Sequence, residues 1–375
     1  MQRVLAWLEE RGDQVWIVDD KETHRALLPG TFRFSVLPLS KEDQQGQAEI
    51  PRVKQLGQAA DELRRIVSEF HPEIVHLHNI TALGLACVQA GLGPLLVSTW
   101  GVLAQQVGQP TPDLPAATRQ TLAAANALIV DAPTLVVPAQ ALAKPGARVE
   151  LLPLGADTKR FRPGRTEAAL LWRTLFGIPD DAFVLLSPRM WGPFYGHQSI
   201  LRAYARAFPG FARPTRLALV GLGDGPDALP HMAATWQEIA HSAAATSVRW
   251  LPRIRYQEMP TLYAMSDCVV NYPEVDSFAA TLIEAAASQL PIITPLLPTY
   301  RNTFVETACT LVASGDVEAL AEAMVLVVNQ PPAERKARLA EARQVAQREY
   351  DDNVIKPRLW ALYGQLAQES KPCVY

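Results

Sequence analysis

Short apolar runs rich in Val, Ile and Leu alternate with stretches of helical period along nearly the whole chain. Such runs suit strands covered on both faces, which parallel sheets flanked by helices provide. The alternation therefore confines the chain to an α/β architecture. In the first half, residues Val15–Asp19, Phe32–Leu37, Ile74–His78, Leu95–Thr99, Ala127–Val130 and Val149–Leu152 read as strands. Val53–Phe70 reads as a helix, with Leu56, Ala59, Ala60, Leu63, Ile66 and Val67 near one face. The second half repeats the rhythm. Phe183–Ser187, Leu217–Gly221, Val248–Leu251, Cys268–Asn271 and Ile292–Thr294 are predicted strands. Ser199–Phe208, Leu229–His241, Glu258–Met265, Ala279–Ser288 and Val317–Val328 are predicted helices, as is Asp351–Gln368. Leu152–Arg165 breaks the pattern with Pro153, Gly155, Pro163 and Gly164, and reads as a hinge between two sheets. The predicted domains are thus residues 1–164 and 165–350, followed by a helical segment over 351–375.

With 375 residues, the chain is long enough for two separate cores. A formal net charge of −3 gives no basic field that would favour nucleic acid. The four cysteines are scattered without a C-x-x-C pair, as expected of reduced thiols in a cytoplasmic protein. No apolar run approaches the roughly 18–20 residues that span a bilayer. Met1–Gly12 reads as an amphipathic helix with Glu9, Glu10 and Arg11, not as a signal peptide. Cytoplasmic placement is the expectation, with peripheral contact at the inner face of a membrane left open. A sheet of this class normally opens strand, glycine-rich turn, helix. Here the helix comes first, and the N-terminal domain reads as lacking its first strand. A truncated start and a true variant both account for that.

The chemistry concentrates in D-S-F-A-A-T-L-I-E, which places Asp276 and Glu284 eight positions apart. A helix starting near Ser277 would offer unpaired backbone N–H groups to an anion. One carboxylate would then sit at the mouth of the site and the other along the helix. The alternative is a capped surface helix with Asp276 or Ser277 as N-cap. Arg189 ends the motif S-P-R after a predicted strand, where a guanidinium fork suits phosphate oxygens or a surface ion pair. Gly221-Leu-Gly223-Asp-Gly225-Pro226 is a tight strand-to-helix turn. It fails the G-x-G-x-x-G pattern, which counts against a dinucleotide dehydrogenase. His76 and His78 share a strand face but have no third ligand at metal spacing, so no metal is expected.

Together with P-E-I-V-H-L-H-N at Pro72–Asn79 and L-P-L-G-A-D-T-K-R-F-R-P at Leu152–Pro163, these motifs resemble the retaining GT-B glycosyltransferases of family four. The resemblance runs from about Gly12 to about Gly364. It implies two Rossmann-like domains facing a cleft, with the terminal helix crossing back to the first. It implies transfer of a sugar from a nucleotide-diphosphate donor to a hydroxyl acceptor (a glycan, lipid or small molecule), with no cofactor and no metal. Asp276 would lie by the donor sugar and Glu284 would accept from the ribose hydroxyls. Arg189 would clamp the diphosphate, with Asp276 and Arg189 as the catalytic pair. Ser277, Phe278, Ala279 and Ala280 replace the family's glycines, and Tyr195 stands where it usually has a lysine. Gly223 would lie near the phosphates, either in contact or as a structural turn. Arg253 and Ile254 belong to the loop near the base. On the acceptor side, the resemblance points to His78, to Trp100 in place of a usual histidine, and to Gly101. Asp157 and Phe161 mark the hinge. These departures also motivate a second reading, a non-catalytic GT-B domain that binds a nucleotide or a protein partner.

Overall fold

The computed structural model describes residues 2–19, 32–37, 53–78, 80, 82–101, 103–104, 107, 114–191, 193–221 and 228–369. They form two compact units, one of residues 1–152 with 356–375 and one of residues 153–355.

The first unit runs α1 (Gln2–Arg11), β1 (Trp16–Asp19), β2 (Arg33–Val36), α2 (Val53–Phe70), β3 (Val75–Leu77), α3 (Ala82–Gln89), β4 (Leu95–Ser98), α4 (Ala116–Ala124), β5 (Ala127–Val130), α5 (Val136–Leu142) and β6 (Arg148–Leu151). Its strands are parallel, with β3-β4-β5-β6 in one sheet and β1-β2 as a separate pair. Every residue of β4 and β5 is buried. This is why β5 and the first three residues of β4 are apolar and do not alternate. On α2, the six apolar residues predicted to share a face are all buried. The opposite face carries the Arg64–Asp61 and Arg65–Glu62 pairs.

The second unit runs α6 (Glu167–Leu175), β7 (Phe183–Ser187), α7 (His197–Ala207), β8 (Thr215–Val220), α8 (Ala228–Ile239), β9 (Val248–Leu251), α9 (Met259–Ala264), β10 (Cys268–Val270), α10 (Ala280–Ala287), β11 (Ile292–Pro295), α11 (Val305–Ala308), β12 (Thr310–Val312), α12 (Val317–Asn329) and α13 (Pro332–Glu349). The division between the units falls inside α14 (Asp352–Glu369). The six strands are parallel, in the order β12-β11-β10-β7-β8-β9. Chain order runs outward from β7 in one direction and from β10 in the other, a doubly wound sheet. Its core joins Ile200, Leu201 and Tyr204 of α7 to Leu217 and Leu219 of β8 and Met324 of α12.

The predicted hinge is stitched into the second unit. The Ala156 amide donates to the Tyr350 carbonyl at 2.7 Å, and the Asp352 amide donates to the Ala156 carbonyl at 3.0 Å. Asp351 Oδ2 accepts from the Thr158 amide and hydroxyl. A Cβ on Gly155 would lie 2.5 Å from the Tyr350 oxygen, so only glycine allows this approach. Asp157 Oδ1 accepts the Lys159 and Arg160 amides, and Phe161 packs edge-on against Tyr263. Both residues hold the segment in shape.

Candidate functional site

In an open α/β sheet, ligands collect at the carboxyl ends of the strands where strand order reverses. In the second unit that point lies between β7 and β10. Arg189 leaves β7 there and Asp276 follows β10, and the fold brings them together. Arg189 Nη1 donates to Asp276 Oδ2 at 3.0 Å, with side chains 19% and 11% exposed. The guanidinium also lies over the Tyr195 ring, 4.1 Å from its centroid. Burial opposes the Arg189 charge, but Asp276 and Tyr195 outweigh it and raise the pKa above its ordinary value. The arginine is therefore charged and already paired. Tyr195 supplies a ring face to it, where a lysine would have supplied a second cation.

The neighbouring strand ends converge on the same edge. The Trp191 amide donates to the Gly221 carbonyl at 3.1 Å. A Cβ on Gly221 would meet the Leu251 oxygen at 2.6 Å and the Arg253 nitrogen at 3.1 Å, so this glycine lets the end of β8 touch the loop after β9. That contact places Arg253 and Ile254 at this edge. Gly223 lies outside the described residues.

The helix after Asp276 keeps to the predicted range Ala279–Ser288 within a residue but departs from the start expected near Ser277. It starts at Ala280 and not near Ser277. Asp276 Oδ1 accepts its neighbour's amide at 2.9 Å, and the Thr299 hydroxyl holds the Asp276 carbonyl at 2.8 Å. These bonds keep Ser277–Ala279 out of the helix. The Phe278 ring turns into a cluster with Phe304 and Tyr350, so only its backbone is left for a ligand. The N-cap is Ala279, with no side-chain cap and no acidic residue in the first turn of α10. The positive end of the helix is thus uncompensated by its own side chains. Glu284 is 4% exposed, and its Oε2 accepts from the Tyr263 hydroxyl at 2.9 Å.

Sequence reasoning missed several polar groups here. Ser187 Oγ ends β7, both polar atoms of the Asn271 side chain follow β10, and Thr281 Oγ1 lies in the first turn of α10. All are buried without a hydrogen-bond partner among the described residues. Leaving such groups unpaired costs about 1–3 kcal/mol each, so their concentration at the strand-order reversal marks a place built for a polar occupant. The only sequence signal was a polar residue ending an apolar strand. His197 was missed as well. Its Nε2 donates to the Arg189 carbonyl at 3.2 Å, and its ring stacks on Trp191. Among the described residues, no group of three or more His, Cys, Asp or Glu could hold a metal ion.

In the first unit, β3 and β4 bring the predicted acceptor-side residues together. The Trp100 indole N–H points to His78 Nδ1 at 3.4 Å, with the rings near parallel. His76 bridges the Tyr363 hydroxyl at 2.7 Å and the Ser98 hydroxyl at 2.8 Å. Gly101 turns the chain with φ +82°. Burial pulls the His76 imidazole down to about 3 and, with its neighbour His76, holds His78 well below the usual range. His78 is then neutral, with Nδ1 facing the indole donor and its proton on Nε2. It offers a hydrogen-bond donor. Because the folded pKa of His76 lies below the unfolded value, its stabilising contribution is present above about pH 6.5 and declines as pH falls toward 3. Unfolding free energy should drop by up to about 1.4 kcal/mol per pH unit from this group. Denaturant titrations at pH 7 and pH 5 should show a smaller difference in His76→Gln than in the parent; equal differences would refute the assignment.

Residues 172–345 match the family described as glycosyl transferases group 1. The GDP-mannose-dependent monoacylated alpha-(1-6)-phosphatidylinositol monomannoside mannosyltransferase of Corynebacterium glutamicum is 26% identical over 219 residues, 56% of this chain and 54% of that protein. The chain thus spans about half the length of that curated relative. The solved sucrose-phosphate synthase of Thermosynechococcus elongatus superposes with a TM-score of 0.76 at 19% identity, covering 98% of this chain and 92% of that one. Anabaena HepE, solved in complex with UDP and glucose, gives a TM-score of 0.72 at 14% identity, covering 97% and 95%. The fold is that of the GT-B glycosyltransferases.

Proposed function

We propose, from the match of residues 172–345 to the glycosyl transferases group 1 family, that the protein transfers a sugar from a nucleotide-diphosphate donor to a hydroxyl acceptor, with retention and without a metal. The observation that carries the proposal is the convergence of Arg189, Asp276 and the uncapped start of α10 at the strand-order reversal. As the bond from sugar to diphosphate breaks, negative charge grows on the departing phosphate. A positive helix end and a guanidinium meet that charge without a metal. The Arg189–Asp276 pair must then open, or share Arg189 with the phosphate. Glu284 accepts from the ribose hydroxyls in this reading, and Tyr263 fixes its carboxylate. UDP and glucose bound to HepE, and the GDP-mannose dependence of the Corynebacterium enzyme, support a nucleotide sugar as donor. The phosphatidylinositol mannoside acceptor of the latter supports a polyol or lipid-linked hydroxyl. In the first unit, the Nε2–H of His78 and the Trp100 ring would orient that acceptor. Among the described residues, no helix is long and apolar enough to cross a membrane.

The Arg189–Asp276 pairing and Tyr195 in the lysine position favour a second reading, in which the domain binds the nucleotide without turnover. One experiment covers both. UDP-, GDP- and ADP-sugars are screened by thermal shift, and the best binder is then assayed for transfer and hydrolysis. One of them should raise the melting temperature, and Glu284→Gln should weaken its binding by about ten-fold or more. No shift with any donor contradicts the proposal. Binding with no turnover selects the second reading.

A further inference from the structure

A cavity lies at the edge of the same sheet opposite the candidate donor site. Its walls include Asp267 and Pro291, which immediately precede β10 and β11, whereas the candidate donor site follows the carboxyl ends of β7 and β10. Its volume is 450 Å³. Four cations line it, Arg162, Arg165, Arg335 and Lys336, against the single carboxylate of Asp267. That carboxylate is shared by Arg165 at 3.0 Å and by the fully buried Arg173 at 3.6 Å. Neither Arg162 nor Lys336 forms an ion pair with a described residue.

Arg335 is 7% exposed, and its Nη1 donates to the Val327 carbonyl at 2.8 Å. A carbonyl orients the guanidinium without neutralising it. Burial lowers the pKa of Arg335, and the Asp267 carboxylate nearby does not make up for it. A native fold that buries a cation this way gains by accepting an anion nearby. Ser288, 5% exposed, is a second unfinished group in the wall, since its Oγ has no hydrogen-bond partner among the described residues. Leu290, Pro291 and Pro163 give the cavity an apolar side.

We infer that this cavity binds a small phosphate-bearing ligand, separately from the donor site. Guanidinium forks and an ammonium converging on one space match a dianionic phosphate better than a single carboxylate. The apolar side accommodates the carbon skeleton of a phosphomonoester. The cavity is also linked to the donor site. Helix α10 carries Glu284 and ends at Ser288 in the cavity wall, and Tyr263, another wall residue, donates to Glu284. An occupant would therefore bias the position of the carboxylate assigned to the ribose, and the two sites would affect each other reciprocally.

The test is calorimetric titration of inorganic phosphate into the full chain, beside two double variants. R162S/K336S removes two exposed cations of the cavity. R206S/R348S removes two exposed arginines elsewhere and controls for net charge. Phosphate should bind the parent and R206S/R348S alike, and about ten-fold or more weaker to R162S/K336S. All four replaced residues are exposed, so the variants keep the fold, and circular dichroism checks this. Equal binding in R162S/K336S places the phosphate elsewhere and overturns the inference. Equal weakening in both variants shows only a general charge effect and overturns it too. The test does not depend on the donor assignment, because phosphate bound at the carboxyl edge would persist in R162S/K336S.

Discussion

Arg189→Gln is expected to destabilise the second unit by about 3 kcal/mol, because it leaves the Asp276 carboxylate largely buried without its cation. Two features put the cost above that of a surface pair. The Asp276 side chain is only 11% exposed, and the guanidinium it loses is also packed against Tyr195. The double variant Arg189→Gln with Asp276→Asn should recover most of the loss, since it removes the orphaned charge as well. Urea denaturation checks both. If Arg189→Gln costs under about 1 kcal/mol, the pair behaves as an exposed one, and the buried reading fails. Activity should separate from stability in this series. The double variant still lacks the cation that meets the leaving phosphate, so turnover should stay about 10²-fold or more below the parent.

Gly196→Ala is expected to cost about 3 kcal/mol or more. Gly196 has φ +67°, a region that residues with a Cβ adopt only under strain. The larger effect is steric. A Cβ would lie 1.9 Å from the Tyr272 oxygen and 3.0 Å from its carbonyl carbon, both backbone atoms that cannot swing aside. Gly196 sits between Tyr195 and His197, which contact Arg189 from two directions. Relief of the overlap would displace the turn that presents Arg189, so donor affinity should fall with stability. Gly315→Ala is a suitable comparison. Its φ is also positive, at +80°, but nothing lies within 4 Å of the added Cβ. A similar melting temperature for the two variants would show that backbone strain alone, and not the approach to Tyr272, sets the cost.

The sheets were legible because buried parallel strands advertise themselves. β5, β7 and β9 match their predicted ranges at both ends. α2 was legible from its apolar stripe and matches at both ends as well. α3 was not, since A-L-G-L-A-C-V-Q is apolar all round and has no polar face to define a period. α13 escaped for the opposite reason, being polar and charged on most positions. β12 has three residues, too few for any pattern. At the candidate site, sequence identified Arg189 from its place after a predicted strand and Asp276 from its spacing to Glu284, one by one. It did not show that they pair with each other, because that contact spans 87 positions and depends on β7 lying beside β10. The predicted helix Ala279–Ser288 matches α10 to within a residue at each end, whereas the capping residues of the motif pointed to a start nearer Ser277. Asp276 and Ser277 are good capping residues, and helix preference alone starts the helix there. The Thr299 hydroxyl, which arrives from after β11, holds the Asp276 carbonyl outside the helix.

In the proposed reaction, the carboxyl edge between β7 and β10 receives the diphosphate of a nucleotide sugar. A crystal structure grown with the donor chosen by thermal shift tests it most directly. The account predicts a β-phosphate oxygen within hydrogen-bond distance of an Arg189 guanidinium nitrogen and of a backbone N–H in the first turn of α10, with Asp276 released from or sharing that arginine. Diphosphate density elsewhere, with the Arg189–Asp276 bond intact, would contradict it.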